Sequence, residues 1–163
     1  MKTKLQITQL QNDLIYSKAA FARVFGVLPK RIRRVMVWWI GFWVWVEGKR
    51  PRLYKKSIFQ EHFALFRKNA AKNLTVNQTN STQFQVNNEE KSTNHVVSYK
   101  VNSVTGKPRY ECDCEDFKNL NEAFKTPACK HIYSVLNSQG FASIAQSISA
   151  HVAEQSARAV LGF

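Results

Sequence analysis

Apolar positions fall into patterns of different period along the chain. In SKAAFARVFGVLPKRIRRV (residues 17–35), Ala22, Gly26 and Ile32 take the spacing A-x3-G-x5-I of a helix-turn-helix, with Phe21, Phe25, Val27 and Val35 at its other apolar positions. Ala22 would let two helices cross closely, Gly26 would take a left-handed turn, and Ile32 would plug the angle between them. Ser17 predicts the cap of the first helix, and Pro29 suits the first turn of the second. That second helix would expose Lys30, Arg31, Arg33 and Arg34. The run Val35–Val46 is apolar for 12 residues. A membrane span needs about 20, so this run predicts a strand pair or a buried segment. FWVWVEGKRPRLYKK then reads as two strands around Glu47-Gly48-Lys49-Arg50, a hairpin with a basic tip continued by Arg52, Lys55 and Lys56. Ser57–Gln60 predicts a capping box opening a further helix, with Phe59, Phe63 and Phe66 on one face.

After this block the pattern changes. Residues 71–82 are rich in Asn, Thr and Gln and predict a polar linker. From residue 83 the period is two. FQV and VVSYKV predict strands, with Val97, Tyr99 and Val101 on one face. SVTGKP predicts a turn, and Arg109–Cys112 a returning strand. The end is helical: Ile144, Ile148 and Val152 recur every four residues, with Gln146, Ser147, Glu154 and Arg158 elsewhere. The expected class is α+β. A helix-turn-helix with a basic hairpin occupies 1–70, and 83–163 form a small zinc-bound hairpin and helix module with a C-terminal helix.

Charge sharpens this division. The chain has a net charge of +13. Residues 1–74 hold 16 Lys and Arg against 3 Asp and Glu, whereas 75–163 hold 8 of each, so the whole excess lies in the first part. A basic unit joined to a neutral one points to polyanion binding by the first and a different role for the second. MKTKLQITQLQNDLIY has no apolar run of signal length, which together with three cysteines predicts an intracellular protein, cytoplasmic or nucleoid-associated, in a reducing compartment.

All three cysteines lie after residue 111, in YECDCEDF and TPACKHIY. Thiolates and imidazole in so short a window are a zinc donor set. Residues i and i+2 point the same way on a strand, so Cys112 and Cys114 converge where a strand bends into a knuckle. Cys129 and His131 would straddle a turn and the start of the helix HIYSVLNSQG. Four donors, Cys112, Cys114, Cys129 and His131, close the shell of a structural site. A disulfide would leave one thiol over. A redox pair prefers Cys-x-x-Cys, and a Cys129–His131 nucleophile has no third group to orient it. Unpaired buried cysteines are the remaining reading.

Cys-x-Cys, a spacer of 14 residues and Cys-x-His, with the preceding strands, Phe117 and the helix start CKHIYSVL, resemble the SWIM-type zinc finger over residues 83–140. The resemblance implies those four residues as ligands and a module that binds DNA or protein. Asp113, Glu115 and Asp116 in the knuckle would repel phosphates, which leans this finger towards a protein partner or a purely architectural role. Residues 14–68 are similar to the winged helix-turn-helix domains of excisionases and MerR-type regulators. That resemblance implies duplex DNA held by a recognition helix and a wing, with RNA as the other candidate target. Trp38, Trp39, Trp43 and Trp45 are read as core or interface before base-stacking platforms. No carboxylate cluster stands with a histidine outside the zinc quartet, which disfavours a metal-dependent nuclease. The expectation is a non-enzymatic, zinc-containing DNA-binding protein, a regulator or mobile-element accessory factor. The alternative is an accessory subunit of a larger transposition or defence complex.

Overall fold

The structure, a computed structural model, describes residues 2–101 and 107–161, without the side chains of 155 and 158–161. The predicted turn over 103–108 therefore lies mostly outside the described residues, as does the side chain of Arg158. The architecture is mixed α and β, with two antiparallel sheets.

Helix α1 (Lys4–Ile15) opens with a capping box between Thr3 and Gln6. Helix α2 (Lys18–Phe25) is capped by Ser17, whose hydroxyl accepts from the Ala20 amide at 3.2 Å. Gly26 ends it at φ 62°, the left-handed conformation that glycine adopts without a Cβ clash. The second helix of the predicted helix-turn-helix does not follow. Residues Pro29–Arg31 make one 3-10 turn, and Ile32–Val37 form strand β1. Two features override the helical spacing. Val35 and Val37 are β-branched, and the apolar run beyond them supplies a partner: β2 (Gly41–Val46) pairs antiparallel with β1, with Val35 opposite Val44 and Val37 opposite Phe42.

Strand β3 (Arg52–Lys55) pairs with the other edge of β2, giving the order β1-β2-β3. Gly41 sits opposite Lys55, and a Cβ there would lie 2.1 Å from the Tyr54 carbonyl oxygen, so the close strand approach requires glycine. Helix α3 (Lys56–Ala71) begins directly at the end of β3, one residue ahead of the predicted capping box. The core joins Phe21, Ile32, Phe42, Val44, Val46 and Phe59. Three of its phenylalanines meet mutually, with ring centroids 4.4 Å (Phe21–Phe59), 5.2 Å (Phe21–Phe42) and 5.3 Å (Phe42–Phe59) apart. Such pairs, one tilted and two edge-to-face, add about 0.5–1.5 kcal/mol each beyond area burial. None of the four tryptophans belongs to this core. Trp38, Trp39 and Trp45 are 48, 88 and 45% exposed, so the core half of the expectation for them fails.

The chain divides into two units, Met1–Phe66 and Arg67–Phe163, with the boundary inside α3. The second unit is built on a four-stranded antiparallel meander of β4 (Thr75–Asn80), β5 (Gln83–Asn88), β6 (Thr93–Val101) and β7 (Pro108–Cys112). The expected linker at 71–82 is thus structured: Ala71 ends α3 and is buried, and β4 is an edge strand. Its Asn, Thr and Gln suit an edge exposed to water, which needs polar side chains more than it needs a core-facing row. Helices α4 (Glu115–Ala123), α5 (Lys130–Ser138) and α6 (Ile144–Leu161) follow. Helix α5 contacts all four strands and adds Ile132, Val135 and Leu136 to a buried set that includes Phe84, Val86 and Val97. Among the described side chains of α6 the fully buried one is Ser147, bonded to the Tyr110 hydroxyl at 2.6 Å, while Val152 of the predicted apolar stripe is 45% exposed.

Candidate metal centre

Three secondary-structure ends converge on the cysteines. Cys112 is the last residue of β7 and lies opposite Val97 of β6. Cys114, two residues on, is the N-cap of α4, and its sulfur accepts from the Phe117 amide at 3.3 Å. Cys129 is the N-cap of α5, and His131 is the second residue of that helix. Two thiols therefore sit at helix N-termini, where the exposed amide dipoles favour a thiolate. The predicted convergence, at a strand that bends into a knuckle, takes the form of the end of β7 running into the N-cap of α4.

All four side chains are buried, and their donor atoms lie within 4.8 Å of one another. His131 Nδ1 is 3.6 Å from Cys112 Sγ and 3.9 Å from Cys129 Sγ. In a tetrahedron with metal–sulfur bonds of about 2.3 Å and a metal–nitrogen bond of about 2.1 Å, the edges are about 3.6–3.8 Å. The cluster is close to that size. His131 Nε2 is buried without a hydrogen-bond partner, so Nδ1 is the nitrogen turned to the sulfurs. These four residues can hold a metal ion, and zinc is the usual occupant of such a donor set.

The thiols interact too strongly to titrate alike. Contacts with Cys114 and Cys129, then burial, push Cys112 upward. Contacts with Cys112 and Cys129 pull Cys114 downward. For Cys129, contact with Cys112 pulls down, but Cys114 and burial outweigh it and push the thiol up to about 12. Crowding three buried thiols together opposes ionising all of them at once, and a cation at their centre would relieve that opposition.

The acidic knuckle is bound into the fold. Asp113, between the first two cysteines, receives the Val96 amide on Oδ2 at 3.2 Å and meets His95 Nδ1 at 2.9 Å through Oδ1. Its own amide donates to the Val96 carbonyl at 3.3 Å, continuing the β6–β7 ladder one step past Cys112. The His95 ring lies 4.3 Å from that of His131. Asp116 is held by Arg67. Glu115 is the most open of the three, with a 3.8 Å ion pair to Lys118. His95 and Arg67 escaped the sequence reading. His95 could have been found, because it precedes Val97 and Tyr99 at even spacing and so shares their face. Arg67 carries no comparable signal.

The expected nucleic-acid contacts divide into two groups. Lys30 and Arg31 lie in the 3-10 turn, Arg33 and Arg34 on β1, Lys49 and Arg50 in the β2–β3 turn, and Arg52 at the start of β3. The register places Ile32 opposite Val46 and Val44 opposite Arg52, so this group gathers at one end of the first sheet. Lys55 and Lys56 stand at the other end. Glu47 pairs with both Arg31 and Arg33. No protein-family model matches the chain, and neither does any curated protein or solved structure.

Proposed function

We propose that the chain is a non-enzymatic, zinc-containing nucleic-acid-binding protein, in which the first unit contacts the nucleic acid and zinc in the second unit fixes a module that meets a protein partner. The observation that carries this reading is the basic end of the first sheet. There Lys30, Arg31, Arg33, Lys49, Arg50 and Arg52 come together around one carboxylate, Glu47, in a chain whose first 74 residues contain only 3 acidic groups. Such a concentration attracts phosphates and yields strongly salt-dependent binding. Recognition would run through strands and turns, since the basic residues expected on a helix lie on β1 and its leading turn. Zinc would close its shell with four protein ligands, keeping no open position for catalysis, and would tie the end of β7 to the starts of α4 and α5.

Fluorescence polarisation of the full chain with labelled DNA and RNA, repeated across a salt series, tests the reading. Affinity should fall with log salt at a slope of about −0.9 per neutralised duplex phosphate, or −0.7 for a single strand. Replacing Lys49, Arg50 and Arg52 together by Gln should flatten the slope by roughly the number of lost contacts. A salt-independent or absent interaction overturns it. A second reading, an accessory subunit of a nucleoprotein complex, draws on the turn Trp38-Trp39-Ile40, which leaves side chains 48, 88 and 44% exposed. In that case the isolated chain would bind weakly and without sequence preference.

A further inference from the structure

The first sheet has a second face, turned away from the phenylalanine core. Register puts Arg34 opposite Trp45, and Met36, Trp43 and Leu53 in one row across β1, β2 and β3. Lys55 ends the same face, opposite Gly41. Trp45, Leu53 and Met36 are 45, 47 and 37% exposed, so this is an apolar, aromatic surface in water with a cation at either end. Asp13, Glu47 and Glu61 are the only acidic residues up to position 74. None occupies this face, and Glu47 is engaged by Arg31 and Arg33.

We infer that this sheet face binds single-stranded nucleic acid, with bases stacking on Trp43 and Trp45 and the backbone running to Arg34 and Lys55. The inference deepens the nucleic-acid reading above and rests on it. Charge complementarity selects the occupant, because a polyanion fits a surface with cations at both ends and no carboxylate. The tryptophans select the form of that polyanion. A duplex buries the faces of its bases in its own stack and offers a protein only edges and phosphates, whereas a single strand presents π-faces to aromatic rings. Trp43 and Trp45 project from one strand two residues apart, about 7 Å, so each ring can take its own base. A stacking platform of this kind tolerates any base, and its sequence preference should be weak.

The test uses the full, metal-loaded chain, with oligo-dT, oligo-U and a mixed-sequence duplex of about a dozen nucleotides per strand, in ~150 mM salt. All four tryptophans lie between residues 38 and 45, so intrinsic fluorescence reports on this region alone. Both single strands should quench it and bind more tightly than the duplex, and the dT and U arms then decide between DNA and RNA. Trp45→Ala should weaken single-strand binding about 5- to 100-fold with the salt slope intact, while Trp45→Phe keeps most of the affinity. Arg34→Ala should instead reduce the slope. Duplex binding equal to or tighter than single-strand binding, or no effect of Trp45→Ala, overturns the sheet-face inference and leaves the nucleic-acid reading standing. Failure to bind any of the three probes overturns both. If Trp45→Ala converts a dimer to a monomer without changing affinity, the face joins two copies of the chain and the inference is wrong.

Discussion

Arg67 grips Asp116 with two parallel hydrogen bonds, 2.9 Å from Nε to Oδ2 and 2.7 Å from Nη2 to Oδ1. The arginine side chain is only 13% exposed, whereas the carboxylate, in the first turn of α4, is 41% exposed. The pair therefore fastens the cysteine knuckle to the end of α3. Removing the cation leaves a carboxylate that water reaches, so the cost stays moderate. Arg67→Ala should destabilise the second unit by about 1–2 kcal/mol. Arg67→Lys should recover only part of this, because a lysine cannot reproduce the planar fork. Chemical denaturation followed by far-UV circular dichroism measures both, and an Arg67→Lys variant as stable as the parent would show that the fork contributes nothing.

The carboxylate of Asp113 does a related job from the middle of Cys-x-Cys. It accepts the Val96 amide and contacts His95, whose ring lies against His131. Asp113→Ala frees the knuckle from β6 and should lower metal affinity about 10-fold, within the usual range for groups that orient ligands. Asp113→Asn keeps an acceptor for Val96 and should lose less. Competition with a chromophoric zinc chelator gives the two affinities.

How much of this was legible in the sequence depends on the range of the forces involved. The four donors were readable because metal chemistry admits few residue types at few spacings, so Cys112, Cys114, Cys129 and His131 identify themselves without the fold. Their supports were not, since Arg67 reaches Asp116 across 49 positions of chain. The helix expected at Lys30–Arg34 failed for a related reason. Local spacing favoured it, but Ile32–Val37 had a pairing partner in Gly41–Val46, and the ladder outweighed the local preference. The edge strand β4 was hidden because its polar composition suits a solvated edge as well as a linker.

Metal uptake should depend on pH in a countable way. Structural zinc in a small module contributes ~10 kcal/mol or more of folding free energy, so chelation or Cys129→Ser is expected to unfold the second unit. Thiols in the unfolded chain titrate near their ordinary value of about 8.5 and are mostly protonated at pH 7. Binding then expels about three protons, and apparent affinity falls steeply as pH drops, by about three log units per pH unit. If the metal-free unit stayed folded, Cys114, whose thiol is held below its ordinary value, would give up less than a full proton, and fewer than three would leave. Calorimetry in buffers of different ionisation enthalpy counts them. Tryptophan fluorescence, confined to the first unit, should stay unchanged on chelation.

Gly41 offers a test of the first sheet by itself. A methyl there would meet the Tyr54 carbonyl at 2.1 Å, and both groups belong to paired backbone. Neither can step aside without opening the β2–β3 ladder. Gly41→Ala should cost at least the upper end of the about 1–3 kcal/mol typical of overpacking. Thermal unfolding followed by tryptophan emission should show the loss in the first unit. An unchanged melting curve would mean that the two strands approach less closely than this.

In the proposed nucleic-acid reading, Glu47 would govern how much of the basic end is available to a phosphate. It pairs with Arg33, and its Oε2 lies 3.8 Å from Arg31 Nε, while Arg31 Nη2 also donates to its backbone oxygen at 3.3 Å. These are surface pairs, with arginine side chains about half exposed, and such pairs contribute at most about 1 kcal/mol to folding. Glu47→Gln should therefore leave stability nearly intact while raising the net charge by one. For nucleic acid the consequence is larger, because Arg31 and Arg33 lose the carboxylate that competes with phosphate for them. Affinity should rise several-fold at low salt, and the salt slope should steepen by about one phosphate equivalent or two. By the same logic, Arg33→Ala should cost less than Arg34→Ala, since part of the charge of Arg33 is already offset inside the protein. Polarisation titrations at four or more salt concentrations separate these slopes. A Glu47→Gln protein that binds no more tightly than the parent would place Arg31 and Arg33 outside the contact surface.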